Sequence, residues 1–236
     1  MLLWQLWQVG ELLTDVGNIT PQLASWDAAT HPAQRRLHAY LREMELAVGP
    51  LPAAGLFLDL RVDVGQQQHL LHHHDLENYL TPLVIRLGPA RFRTVWAMKQ
   101  VGGGSRLRIG YAQPQTSRSR EAAWASFSYR AGSGVQSARW KQQLRAALAA
   151  QQPPVLPTGP VEVRLAWRCS PQRNWVTLWK PTGDAMGPVL GEDDRRNPYN
   201  PRDDRIVRLE LHVNIDASMG HDVVVGMWWR AQGRSR

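Results

Sequence analysis

The feature that most limits what this chain can fold into is an ordered set of elements that occurs twice. Residues 34–48 carry Leu37, Leu41, Met44 and Val48 at helical spacing, with Arg35, Arg36, Arg42, Glu43 and Glu45 on the other faces. That pattern predicts an amphipathic helix, stopped by Gly49 and Pro50. Residues 56–64 then alternate, Leu58, Leu60, Val62 and Val64 against Asp59, Arg61 and Asp63, which is the period of a half-buried strand. A helix is expected over 76–87, and strand-like runs over 91–101 and 106–112 flank Gly102, Gly103 and Gly104, which read as a hairpin connection. The order then returns. Residues 139–150 form a helix pattern with Trp140, Leu144 and Leu148 on one face, 161–167 alternate, 174–190 read as a helix, and 204–213 with 223–230 make a second strand pair. Two copies of one helix, strand, helix, strand, strand unit, offset by roughly a hundred residues, are the simplest account.

The expected fold class is therefore α/β (α+β), two units in tandem forming a pseudo-twofold pair with mixed sheets and helices on one side. The first unit covers 1–115, including a loosely helical N-terminal extension over 1–16 and a loop over 17–32. A Ser/Arg-rich linker is placed at 116–120, and the second unit covers 121–236, opening with a short strand over 124–129 and a turn over 132–137. Lys and Arg number 28 against 20 Asp and Glu, a formal charge of +8. Arginine pairs with phosphate in a bidentate way, so a polyanionic partner suits the charge. The single cysteine, Cys169, excludes an internal disulfide and ends a strand pattern, where a buried inert thiol is expected. The apolar N-terminus lacks a basic stretch and is interrupted by Gln5, Gln8, Glu11 and Asp15. Neither a signal peptide nor a membrane span is expected, and a cytoplasmic location follows. Among 11 tryptophans, Trp228 and Trp229 lie in a strand-like run, where a core or interface role is the default.

Chemistry concentrates first at residues 74–80, His-Asp-Leu-Glu-Asn-Tyr-Leu. Asp75 and Glu77 stand two apart with Asn78 behind them, where an apolar helix begins, and two such carboxylates suit a hard divalent cation. The competing reading makes Asp75 an N-cap and Glu77 a first-turn acid facing the positive end of the helix dipole. His69, His72, His73 and His74 precede them without the Cys or H-x₃-H spacing that zinc requires.

Together, a helix, a proline-containing loop, the strand Pro-Val-Glu-Val-Arg-Leu, a polar loop, a helix with Lys and Asp four apart, and Asp-Asp entering a strand resemble RusA, a Holliday-junction resolvase family. In that family a helix opens with D-x-D-N-x-x-K-x-x-x-D and a later D-D precedes the next strand. The resemblance implies a homodimer-like arrangement within one polypeptide, binding to branched DNA, Mg²⁺, and a structure-specific endonuclease. The motif is split here. Asp75, Glu77 and Asn78 match D-x-D-N with one conservative exchange, but Thr81 stands in place of the lysine. Lys180, Asp184, Asp203 and Asp204 match the rest in the second half, where Asn174 and Val176 replace the two metal-binding aspartates. The resemblance implies catalysis by Asp75, Glu77, Lys180, Asp203 and Asp204, with metal on Asp75, Glu77 and Asp204. Phosphates of DNA would meet Arg91, Arg93, Lys99, Arg202 and Arg205. Two outcomes remain open: a composite site drawn from both halves, or a catalytically inactive relative that keeps the shape for DNA or for a protein partner.

Overall fold

Alternating residues at 56–64 form a strand inside one sheet of eight, rather than one of two sheets. The structure is a computed structural model and describes residues 4–24, 27–28, 30–72, 75–115, 124–131, 137–192 and 199–232. The strands are β1 (Trp7–Ile19), β2 (Leu56–Asp63), β3 (Phe92–Gln100), β4 (Ser105–Pro114), β5 (Ala125–Ala131), β6 (Val161–Cys169), β7 (Ile206–Ile215) and β8 (Val223–Ala231). Among the described residues the helices are α1 (Pro32–Val48), α2 (Leu76–Leu87), α3 (Ser137–Ala150) and the short α4 (Trp179–Asp184) and α5 (Gly187–Leu190). The chain is thus a mixed α+β fold.

Strand order across the sheet is β1-β4-β2-β3-β7-β6-β8-β5. Read inward from either edge, the strands of each half appear in the same sequence: first, fourth, second, third. In each half the second and third strands are parallel, and both parallel ladders carry a register shift at their first pair, Leu56/Phe57 and Val161/Glu162. The halves join through antiparallel β3 and β7, whose pairing runs from Thr94↔His212 to Met98↔Arg208 and centres on Trp96↔Glu210.

Three expectations are corrected. The N-terminal extension is not helical: residues 7–19 are an edge strand against β4, with register shifts near Leu12, Thr14 and Ile19. The runs flanking the three glycines are not a hairpin, because β2 lies between β3 and β4, just as β6 lies between β7 and β8. Gly102, Gly103 and Gly104, all at positive φ, instead arch over the end of β2. Asp63 fastens the arch, its carboxylate accepting from the amides of Gly65 (2.9 Å), Gly102 (3.1 Å) and Gly104 (2.9 Å). The helix expected over 174–190 is broken into a 3-10 turn over Trp175–Leu178, then α4 and α5. Pro181 and Pro188 lack the N–H that a continuous helix needs. The linker at 116–120 and most of the turn at 132–137 lie outside the described residues.

One face of the sheet meets the helices. Leu56, Leu58, Leu60 and Val62 of β2 share a core with Leu37, Leu41 and Met44 of α1, Leu80, Leu83 and Val84 of α2, and Trp140, Leu144 and Leu148 of α3. Trp229 joins this core, and Cys169 lies buried in it with its thiol pushed up to about 11 by burial. The opposite face alternates charge along paired strands. Arg108 bonds Asp59, and Arg164 Nε donates to Glu210 at 2.7 Å. No helix of the described residues is long and apolar enough to cross a membrane.

Candidate functional site

α2 begins at Leu76 because Asp75 turns the chain out of an extended conformation, but the Asp75 carboxylate makes no capping bond. It accepts instead from the Asn78 side-chain amide at 3.1 Å. Further along, Pro82 cannot donate to the Asn78 carbonyl four residues back. The backbone N–H of Ala24 takes that place at 2.8 Å, so the proline is accommodated and the first turn is tied to the preceding loop. The N-terminal turn of α2, with Asp75 and Glu77 on it, is thereby fixed at the end of the sheet where β3 finishes and β7 starts.

The second half supplies the rest at the same place. Asp203 and Asp204 form a 3-10 turn that leads into β7, and Lys180 and Asp184 lie one turn apart on α4. Lys180 Nζ is 3.0 Å from Asp184 and 3.6 Å from Asp203. Lys141 of α3 also reaches Asp184, at 3.2 Å. Asp75, Glu77 and Asp203 line one small cavity of about 20 Å³, floored by Val163, Leu165 and Leu209, with room for one water-sized group. Gly183 forms part of its wall, and a Cβ there would stand 3.4 Å from Glu77 Oε2. Residues more than a hundred positions apart in the chain therefore meet as a composite acidic site.

Its electrostatics follow from crowding carboxylates away from water. Burial pushes Glu77 up to about 8, Lys180 pulls it down, and the charges of Asp203, Asp184 and Asp75 raise it further. Asp203 rises to about 7, by burial and then by Asp75, against the pull of Lys180. Lys180 moves the other way: burial disfavours its charge, but Glu77, Asp203 and Asp184 together hold it above the usual lysine range. Lys99, at the end of β3, is buried and falls to about 8 for that reason, although Asp75, Asp204 and Asp203 favour its charge. Its ammonium donates to the carbonyl of Leu70 at 3.2 Å and to that of Asp204.

The residues singled out from sequence divide into two groups. Asp75, Glu77, Lys180, Asp184 and Asp203 converge. Asp204 points elsewhere: it does not line the cavity, and its carboxylate lies 3.8 Å from His72. Of the five residues assigned to DNA phosphates, Arg91 donates to the carbonyls of Leu51 and Pro52, and Arg205 is 3 % exposed with its guanidinium on the carbonyls of Gly159, Leu190 and Pro157. With Lys99 also buried, these three brace the fold from within, Arg91 alone of them being half-exposed. Arg93 and Arg202 remain partly exposed. Sequence reasoning did not foresee Lys99 as part of the acidic site, because only the pairing of β3 with β7 brings it there. His73 and His74 lie outside the described residues.

A hard divalent cation suits this donor set in kind. The oxygens are carboxylates in excess over the neighbouring ammonium groups, and Glu77 accepts no hydrogen bond among the described residues. Spacing is less favourable: Lys180 occupies the ground between Asp184 and Asp203, and no three His, Cys, Asp or Glu side chains of the described residues stand as a ligand set. No protein-family model matches the chain, and no curated protein matches it.

Proposed function

We propose that this chain is a DNA-binding protein built as two RusA-like units in one polypeptide, with a single site for metal-dependent phosphodiester cleavage at one end of the central strand pair. The observation that carries the reading is the convergence of Asp75 and Glu77 from the first half with Asp203 and Lys180 from the second. Each half keeps only part of the family's motif, and the parts meet. Asp75, Glu77 and Asp203 would hold Mg²⁺, which would orient water and offset charge on the leaving oxygen of the phosphodiester. Lys180, half exposed at the rim, would contact the scissile phosphate. Branched DNA is the substrate that the family resemblance implies, and the strand order, alike from both edges, supports one chain standing for a dimer.

A second reading is a relative that binds DNA, or a protein partner, without cutting. Lys180 between Asp184 and Asp203 favours it, since an ammonium there does the charge neutralisation that a cation would. The deciding experiment is cleavage of a labelled four-way junction beside linear duplex, with Mg²⁺ or Mn²⁺. Cutting by the wild type, abolished in Asp75→Asn and in Asp203→Asn while binding persists, is the expected result. Salt-sensitive binding with no cutting under either metal would leave the second reading. Mn²⁺ titration calorimetry adds a readout independent of turnover: heat in the wild type, lost in Glu77→Gln.

A further inference from the structure

The pairing of β3 with β7 is symmetric about Trp96↔Glu210, so Thr94 in β3 holds the position that Arg208 holds in β7. The same offset carries Asp203 and Asp204, which precede β7, onto Pro89 and Ala90, which precede β3. Asp75, the N-cap residue of α2, has its counterpart in Asn174, the N-cap residue of the 3-10 turn before α4. Pro89, Ala90 and Asn174 do come together. They line a cavity of about 420 Å³ at the other end of the seam. From Phe92 to Lys99 the two ends lie roughly 23 Å apart at about 3.3 Å per residue.

The chemistry of this second cavity is the opposite of the first. Among the described residues no acidic side chain lines it, and it holds two guanidinium groups, Arg93 and Arg173, with the Gln172 amide beside them. Arg93 has no ion pair or hydrogen bond among the described residues. Arg173 donates one hydrogen bond to the His221 carbonyl at 3.2 Å and has no carboxylate partner there. The wall behind them is rigid. Trp175 packs edge-on against Trp179 at 4.9 Å and donates from Nε1 to the Pro89 carbonyl at 3.2 Å, which ties the two halves together. Two forked donors on a fixed wall, without a competing carboxylate, match a phosphate group.

We propose that this cavity is a phosphate-binding site that holds nucleic acid without cutting it, the non-cleaving counterpart of the acidic cavity. The source of the phosphate, a DNA strand, rests on the reading given under Proposed function. The distance between the ends corresponds to about seven base-pair steps of duplex, so one DNA molecule can reach both.

The test is equilibrium binding of a fluorescent four-way junction across a salt series, for the wild type, Arg93→Gln, Arg173→Gln and the double variant. Both side chains are partly exposed and neither holds a buried ion pair, so the variants are expected to fold, which circular dichroism checks. The expected result is several-fold weaker binding in the double variant and a salt slope shallower by about one, the change for one lost phosphate contact. An unchanged slope and affinity in the double variant overturns the site and leaves the acidic end's function standing. If the wild type binds no DNA, the functional reading fails separately, and calorimetry with pyrophosphate then judges the cavity alone. Heat that the double variant loses supports a phosphate site, and no heat in the wild type overturns it.

Discussion

Glu77 concentrates the site's conflict in one side chain. Its carboxyl is held up at about 8 by burial and by the neighbouring acids, so the folded protein binds a proton there that the unfolded chain releases near pH 4.5. A folded value above the unfolded one means that the stabilising effect is complete below about 4.5 and is lost as pH rises through 8. Wild-type stability should therefore fall between pH 5 and pH 9 by an amount on the order of a few kcal/mol. Glu77→Gln, which is neutral throughout, should flatten most of that slope and be the more stable protein at pH 9, with a residue of the slope left from Asp203. Urea unfolding of both proteins at pH 6 and pH 9 checks this, and parallel pH profiles would remove Glu77 from the account. The same proton competes with a metal. Mn²⁺ affinity should therefore rise with pH through 7 to 8, since binding requires that Glu77 and Asp203 give up their protons.

At the scale of elements, what could be read from the chain depended on whether the signal was local. The limits of α2 were legible because Asp75 opens it and Gly88, at φ 97°, closes it. β2 was legible because a central strand keeps strict alternation. β1 was not. It is an edge strand with three register shifts, and each shift moves the alternation to the other face, which leaves apolar residues at an irregular spacing close to that of a helix. The false hairpin has a different cause. A triple glycine between two strand patterns marks a reversal of the chain, but it does not show which strand lies beside which, and here β2 intervenes. Asp63 makes that crossover possible by accepting three loop amides, which also hold its carboxyl below the ordinary range. Asp63→Ala should lower the urea midpoint and raise amide exchange at Gly102 and Gly104 most, with the rest of β3 protected; unchanged exchange there would show that the glycines hold the arch unaided. The candidate site was legible residue by residue, but its assembly across the halves stood only as one of two open outcomes, because Asp75 and Asp203 become neighbours only through the β3–β7 pairing.

Across the whole molecule, that pairing is the only strand ladder between the halves among the described residues, and it has a charged centre. Glu210 is 2 % exposed, bonded by Arg164 at 2.7 Å and by Arg208 at 2.8 Å, with His212 3.7 Å away. Burial would raise its carboxyl, but the neighbouring His212 ring and the charges of Arg164 and Arg208 hold it far below the ordinary range. Its contribution is present above about pH 4.5 and is lost as pH falls below that value. Arg164 is itself buried, stacked 4.9 Å over Trp124, and its Nη1 has no hydrogen-bond partner. Removing the Glu210 charge leaves that guanidinium uncompensated in the middle of the sheet. Glu210→Gln should therefore cost about 3–5 kcal/mol near neutral pH, much more than an exposed ion pair is worth. The helices of both halves share one core, and both cavities are built across the seam, so the loss should reach the entire chain. The variant should still unfold in one transition, with tryptophan fluorescence and far-ultraviolet circular dichroism shifting to the same lower urea midpoint. Two separated transitions would instead show that the halves are stable apart. The acidic cavity would then depend on docking between independent units, and DNA binding would be expected to outlast cleavage as denaturant is added.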